Sequence, residues 1–242
     1  MLEKKRTLIL CAHGSNNHLF HDDFNKFLRK IEDKVNLKVY KCFIEINSPS
    51  IEEIFEKLSK KYYKINFVPL LIFNGNHLME DVDQNILLFQ KKYRKLLIQN
   101  KKLLFINDEI QSNFIKIFKY KFKKKFNNKI LVTISSSSKN QNVNKELDIY
   151  TKNISKELKI KDSFSISYNH EDDLIKTFKK LKNKKKIELI IHPVLLFNGF
   201  LYNKIKEKFK NLKFRKVHLI KPILNYKVFV DLLIFRINKI SD

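Results

Sequence analysis

A chain of 242 residues can bury one large core or two small ones, since domains commonly run to about 100–150 residues. Its 50 basic and 25 acidic side chains leave a formal charge of +25, which would ordinarily point to nucleic acid or another anionic surface. Ala12 is the only alanine, tryptophan is absent, Lys, Ile, Asn and Phe abound and Arg is scarce, so most of the excess reads as AT-rich codon choice; no nucleic-acid partner is expected from lysines dispersed over every helix.

The opening MLEKKRTLIL holds an apolar stretch too short for a signal peptide, and no later segment approaches the roughly 20 apolar residues of a membrane span. A cytoplasmic protein without membrane association is expected. Thr7–Ala12, Lys38–Phe43, Ile65–Phe73 and Leu103–Asn107 have the length and apolar content of strands. Between them, the stretches near Asp22–Lys34, Ser50–Tyr62 and Glu80–Leu97 space apolar residues helically, and Ser50 with Glu53 forms a capping-box start. Cys11 and Cys42 lie inside apolar runs, far from any CxxC spacing, and read as buried free thiols. His18 and His21, at helical spacing, read as a solvated helix start or as a feeder site for metal.

The same order then repeats. VPLLIFNG at 68–75 returns as HPVLLFNG at 192–199, an offset of 124, and Ile130–Ile134 stands where the first strand should be. The pattern predicts an α/β protein of two similar lobes, residues 1–125 and 126–242, each a parallel sheet of about four strands flanked by helices, facing across a cleft. The basic segment Lys119–Lys129 is the expected junction.

His13 and His77 each follow an apolar run beside a glycine, and the chain has only three glycines. Imidazoles at the carboxyl ends of parallel strands project into the crevice where open α/β sheets bind ligands. Neutral imidazole both binds divalent transition metals and accepts protons, so a shared site is expected.

Three segments occur in order: His13-Gly14-Ser15; Phe43-Ile44-Glu45 followed by Pro49-Ser50-Ile51-Glu52-Glu53; and Val68-Pro69-Leu70 through Phe73-Asn74-Gly75-Asn76-His77. This pattern, over residues 7–82, resembles the CbiX-type sirohydrochlorin chelatases of the class II chelatase superfamily. The resemblance implies insertion of a divalent metal, Fe2+ or Co2+, into sirohydrochlorin or a related tetrapyrrole for siroheme or cobalamin. The metal is then a substrate; no nucleotide cofactor and no iron–sulfur cluster are implied, and the oligomeric state is left unassigned. By the same resemblance His13 is metal ligand and proton acceptor, His77 the second ligand, and Glu45 the supporting carboxylate in contact with substrate. The backbone of Ile72, Phe73, Asn74, Gly75 and Asn76 then lines the tetrapyrrole. Basic residues at a cleft rim would concentrate so acidic a substrate.

The second half departs from the motif. Leu201 takes the place of His77, Ile134 or Ser135 that of His13, and His192 aligns with Val68. It resembles the degenerate second half of long family members, a wall supplying shape and anion contacts, for instance through Ser135–Ser138. Two other readings stand beside the leading one: a metal or tetrapyrrole carrier without turnover, and a ferrochelatase for a less acidic porphyrin.

Overall fold

The computed structural model describes residues 6–73, 76–101, 107–136, 141–180 and 184–241. They form two compact units, each built on a four-stranded parallel sheet.

The first unit contains β1 (Arg6–Ala12), α1 (His18–Glu32), β2 (Lys38–Phe43), α2 (Ile51–Ser59), β3 (Lys64–Pro69), α3 (Asn76–Lys92), β4 (Leu97–Asn100) and a late helix, Lys227–Ser241, termed α8 below. Strand order is β2-β1-β3-β4. Leu8 through Cys11 are wholly buried, as a central strand must be when helices cover both faces. Alternation along the strand sends Ile9 and Cys11 into a core with Phe55, Leu58, Phe67 and Phe89, while Leu8 and Leu10 face the other way. Chain connections that run first to one side of β1 and then to the other place α1 and α2 on opposite faces, given right-handed crossovers. The capping box forms: Ser50 Oγ accepts from Glu53 N at 3.2 Å and Ser50 N donates to Glu53 Oε2 at 2.8 Å.

The second unit contains α4 (Asp108–Lys121), β5 (Lys129–Ser135), α5 (Gln141–Leu158), β6 (Asp162–Ser167), α6 (Glu171–Lys180), β7 (Glu188–Pro193), α7 (Phe200–Lys210) and β8 (Lys216–Leu219), with strand order β6-β5-β7-β8. One face of its sheet buries Ile130, Val132, Ile134, Leu189 and Ile191 against Phe178, Ile205 and Phe209. With α8 in place, the two sheets carry the doubled α/β pattern expected from the repeat.

The structure differs from the sequence reading at several edges. β3 ends at Pro69 although the apolar run continues to Phe73, because Leu70 and Ile72 are buried in a loop. The fourth strand is the half-polar LIQN at Leu97–Asn100, where a helix end was expected. The expected strand Leu103–Asn107 lies outside the described residues except for Asn107, whose side chain caps α4 by accepting from Ile110 N at 3.0 Å. The division also differs from a cut at 125/126: α4 groups with the second unit and α8 with the first. Ring packing is the reason, since Phe114 and Phe118 of α4 sit 4.5 and 5.3 Å from the His192 ring. In the first unit α8 meets the end of α1 through Asp231–Lys34 at 3.9 Å and Asn238 Nδ2 donating to Lys34 O at 3.3 Å. Among the described residues no helix is long and apolar enough to cross a membrane.

Candidate active site

In a β2-β1-β3-β4 sheet the chain leaves β1 toward one edge and returns on the other side, so the carboxyl ends of β1 and β3 flank the switch-point crevice. His13 is the first residue after β1, Glu45 lies two residues past β2, and 70–77 follows β3. The two sequence-predicted groups meet: His13 Nε2 is 3.9 Å from Glu45 Oε2, with side chains 47% and 54% exposed. That separation is too long for a hydrogen bond. It is short enough for one ion, bonded at about 2 Å to imidazole nitrogen and carboxylate oxygen, to touch both. Half exposure leaves the pair open to a hydrated ion.

Backbone bonding sets this approach. Ile44 N donates to Ala12 O and Glu45 N to His13 O, each at 2.9 Å, which carries the β1–β2 ladder past the strand ends. Gly14 has φ +105, and a Cβ built there would stand 2.1 Å from Glu45 O. Only glycine allows both that conformation and that contact. Ser15 N donates to Asn47 Oδ1 at 2.7 Å, tying the first loop to the second.

Two supporting residues were not legible as such. Asn47 is an ordinary loop asparagine in sequence, with no signal marking its role. His21 is not a solvated helix residue: it is half-buried, its Nε2 lies 2.7 Å from Ser15 O, and its ring meets Phe43 edge-on. Because a carbonyl only accepts, Nε2 carries the hydrogen.

On the β3 side, Leu70 N donates to Cys11 O at 2.7 Å, continuing the ladder. The Ile72 side chain is buried, which leaves its backbone as the part free to meet a ligand; Phe73 is half-buried. Asn74 and Gly75 lie outside the described residues. Asn76 and His77 open α3, and their side chains also lie outside them. Among the described residues no three His, Cys, Asp or Glu side chains gather as a metal cage. The neighbouring thiols are no part of one: Cys11 and Cys42 are buried opposite each other on β1 and β2, and burial, then the Cys42 contact, pushes the Cys11 thiol up.

The second unit gives the counterpart positions. Pro69 pairs with Cys11 and Pro193 with Ile134, so Ile134 matches Cys11 and the residue in the place of His13 is Ser136, one or two beyond the Ile134–Ser135 expected. Phe43 pairs with Ala12 and Ser167 with Ser135, which puts Asn169 in the place of Glu45. Leu201, in the place of His77, packs against the core. His192 is wholly buried, with Nε2 2.8 Å from the Tyr150 hydroxyl and burial pushing its pKa down to about 3. It is a neutral core residue.

Residues 7–116 match the model of the CbiX family. The sirohydrochlorin ferrochelatase of Bacillus subtilis (strain 168) is 23% identical over 219 residues, covering 86% of this chain and 81% of its own. Among solved structures, SirB from Bacillus subtilis with Fe3+ is similar with a TM-score of 0.77 at 21% identity, covering 97% of this chain and 95% of that one. The sirohydrochlorin chelatase SirB from Bacillus subtilis subspecies spizizenii, in complex with cobalt, gives 0.75 at 20% identity over 97% and 94% of the two chains. At these identities the structural likeness is one of fold.

Proposed function

We propose, from the premise that this chain belongs to the sirohydrochlorin chelatase family through its CbiX segment at residues 7–116, that it inserts a divalent metal into sirohydrochlorin. The reaction exchanges M2+ for the two pyrrole protons and needs neither nucleotide nor redox step. The observation that carries the reading is the exposed His13–Glu45 pair at the carboxyl ends of β1 and β2, beside the switch-point crevice.

His13 takes the ion from water. Its imidazole binds a borderline cation firmly enough to displace water and weakly enough to release it. His77, which opens α3, is the second ligand. Glu45 offsets the ion's charge as water leaves and contacts the substrate. As the metal passes to the ring nitrogens, the vacated His13 accepts one pyrrole proton, which imidazole can do near neutral pH, and the second leaves to water. The backbone of Ile72, Phe73, Asn74, Gly75 and Asn76 lines the macrocycle; the buried Ile72 side chain supports a backbone contact there. Fe2+ and Co2+ both suit imidazole with carboxylate, so the donor set does not choose between siroheme and cobalamin.

Anaerobic incubation with sirohydrochlorin and each metal, followed by absorbance, tests the reading. Wild-type protein should accelerate insertion of at least one of the two. His13→Ala should lose at least about 100-fold in rate, because ligand and proton acceptor go together, while metal-free sirohydrochlorin still binds. Equal insertion with and without protein would overturn the assignment.

A further inference from the structure

We infer that Ile46 is a substrate-contact residue: a strained turn presents its side chain so that it packs against the flat, apolar face of the tetrapyrrole beside the metal-transfer pair. The inference rests on the function proposed above and adds a residue to it. Ile46 has φ 70, and Asn47 N donates across it to Glu45 O at 2.7 Å, which makes a γ-turn of the rare, positive-φ kind. For a β-branched residue that backbone is a genuine outlier, where Asn, Asp or Gly would sit with less strain.

The turn is held on both sides. Glu45 N is bonded to His13 O, Asn47 Oδ1 takes the Ser15 amide, and Glu45 O lies against Gly14, where a Cβ would meet it at 2.1 Å. Strain persists where its surroundings over-determine it in this way.

Folding gains nothing visible from an isoleucine here. Its side chain is 55% exposed, whereas Ile44, on the other side of Glu45, packs into the core. A lone exposed isoleucine is ordinary. One that is also held in a backbone conformation hostile to it is not, because asparagine would relieve the backbone and suit the solvent at once. An apolar surface immediately following Glu45 is matched by a ligand with a flat apolar face, and the pyrrole rings of the proposed substrate supply one.

Ile46→Asn and Ile46→Val separate contact from structure. In Ile46→Asn the melting temperature should rise, or fall by no more than about 3 °C. Its dissociation constant for metal-free sirohydrochlorin, read by fluorescence, should rise about fivefold, the share for covering half an isoleucine side chain. KM should rise in parallel with kcat within about twofold, and Co2+ binding without tetrapyrrole should not move. Ile46→Val should keep near-wild-type affinity. Unchanged sirohydrochlorin affinity in Ile46→Asn, in a protein whose wild type inserts metal, would overturn this inference and leave the proposed function standing. A large drop in melting temperature would also overturn it, by making Ile46 a packing residue. A wild type that neither binds nor metallates sirohydrochlorin would overturn both.

Discussion

His192 serves the fold, unlike the role proposed for His13, and acid unfolding exposes the difference. Its ring lies wholly buried among Phe114, Phe118 and Tyr150; Tyr150 bonds Nε2, and Nδ1 has no partner among the described residues. Burial lowers its pKa from 6.5 to about 3. The unfolded chain therefore takes up a proton near pH 6.5 while the folded chain stays neutral. The stabilisation is fully present above that pH and is lost as pH falls from 6.5 toward 3. At about 1.36 kcal/mol per pH unit, the 1.5 units between 6.5 and 5 cost about 2 kcal/mol, a large share of the roughly 5–15 kcal/mol that holds a domain folded. Urea unfolding at pH 7.5 and pH 5 measures the loss. The paired variant Tyr150→Phe/His192→Leu removes both polar partners together, which can be nearly neutral, and should lose most of that pH dependence. Glu188, held down to about 2 by Lys129 and then His218 against the effect of burial, is depressed from 4.5 and acts below this window. His218, also lowered by burial, stays in both proteins. Metal insertion by the folded variant at pH 7.5 should remain within a few-fold of wild type. The same pH slope in both proteins would refute the reasoning, as would a folded variant as inactive as His13→Ala.

Gly14→Ala should destabilise by about 2–4 kcal/mol, combining a left-handed backbone penalty of 1–2 kcal/mol with loosened bonds at Glu45 and Ser15. Insertion should fall more than stability does, since the clash displaces Glu45; a native melting temperature would contradict the built Cβ contact. Asn47→Ala, which frees the Ser15 amide, should cost about 1 kcal/mol in urea unfolding and about tenfold in insertion rate, and activity equal to wild type would remove Asn47 from the supporting set. Anaerobic equilibrium dialysis with Co2+ should find one tight site per chain, lost in His13→Ala. A second site that survives that change would place a centre outside the first unit's loops.

The alternating elements were legible because central parallel strands are apolar nearly throughout: Leu8–Cys11, inside the expected Thr7–Ala12, and Ile130–Ile134 are both buried central strands. The Ser50–Glu53 box was legible because its two hydrogen bonds need only those residues three apart. The point at which a buried strand gives way to a buried loop was not. Leu70 and Ile72 look the same in sequence whether they extend β3 or line a buried loop, and β4 is too short and polar to announce itself. The division into units was hidden for a related reason. The apolar stripe of α4 says that it must bury a face, but not that the face meets His192 and Tyr150 rather than the preceding sheet. At the site, His13, Glu45 and Gly14 carried distinctive chemistry. Asn47, His21 and the turn at Ile46 act through geometry that no residue type advertises.

The two units also explain how the proposed site can occur once on a scaffold built twice. Strand order 2-1-3-4 recurs as 6-5-7-8, so both units own a crevice at the carboxyl ends of their central strands. What differs is the chemistry set there. Ser136 and Asn169 stand in the places of His13 and Glu45, and Leu201, in the place of His77, packs against the core. None of the three replacements is an imidazole or a carboxylate, so these positions lack the residue types that the proposed metal site uses. The histidine the second unit does retain, His192, lies one residue before the Pro193 that ends β7, and a wholly buried site there costs an imidazole its charge and its access to ions. His13, one residue past the end of β1 and half-exposed, keeps the access to ions that the buried His192 lacks.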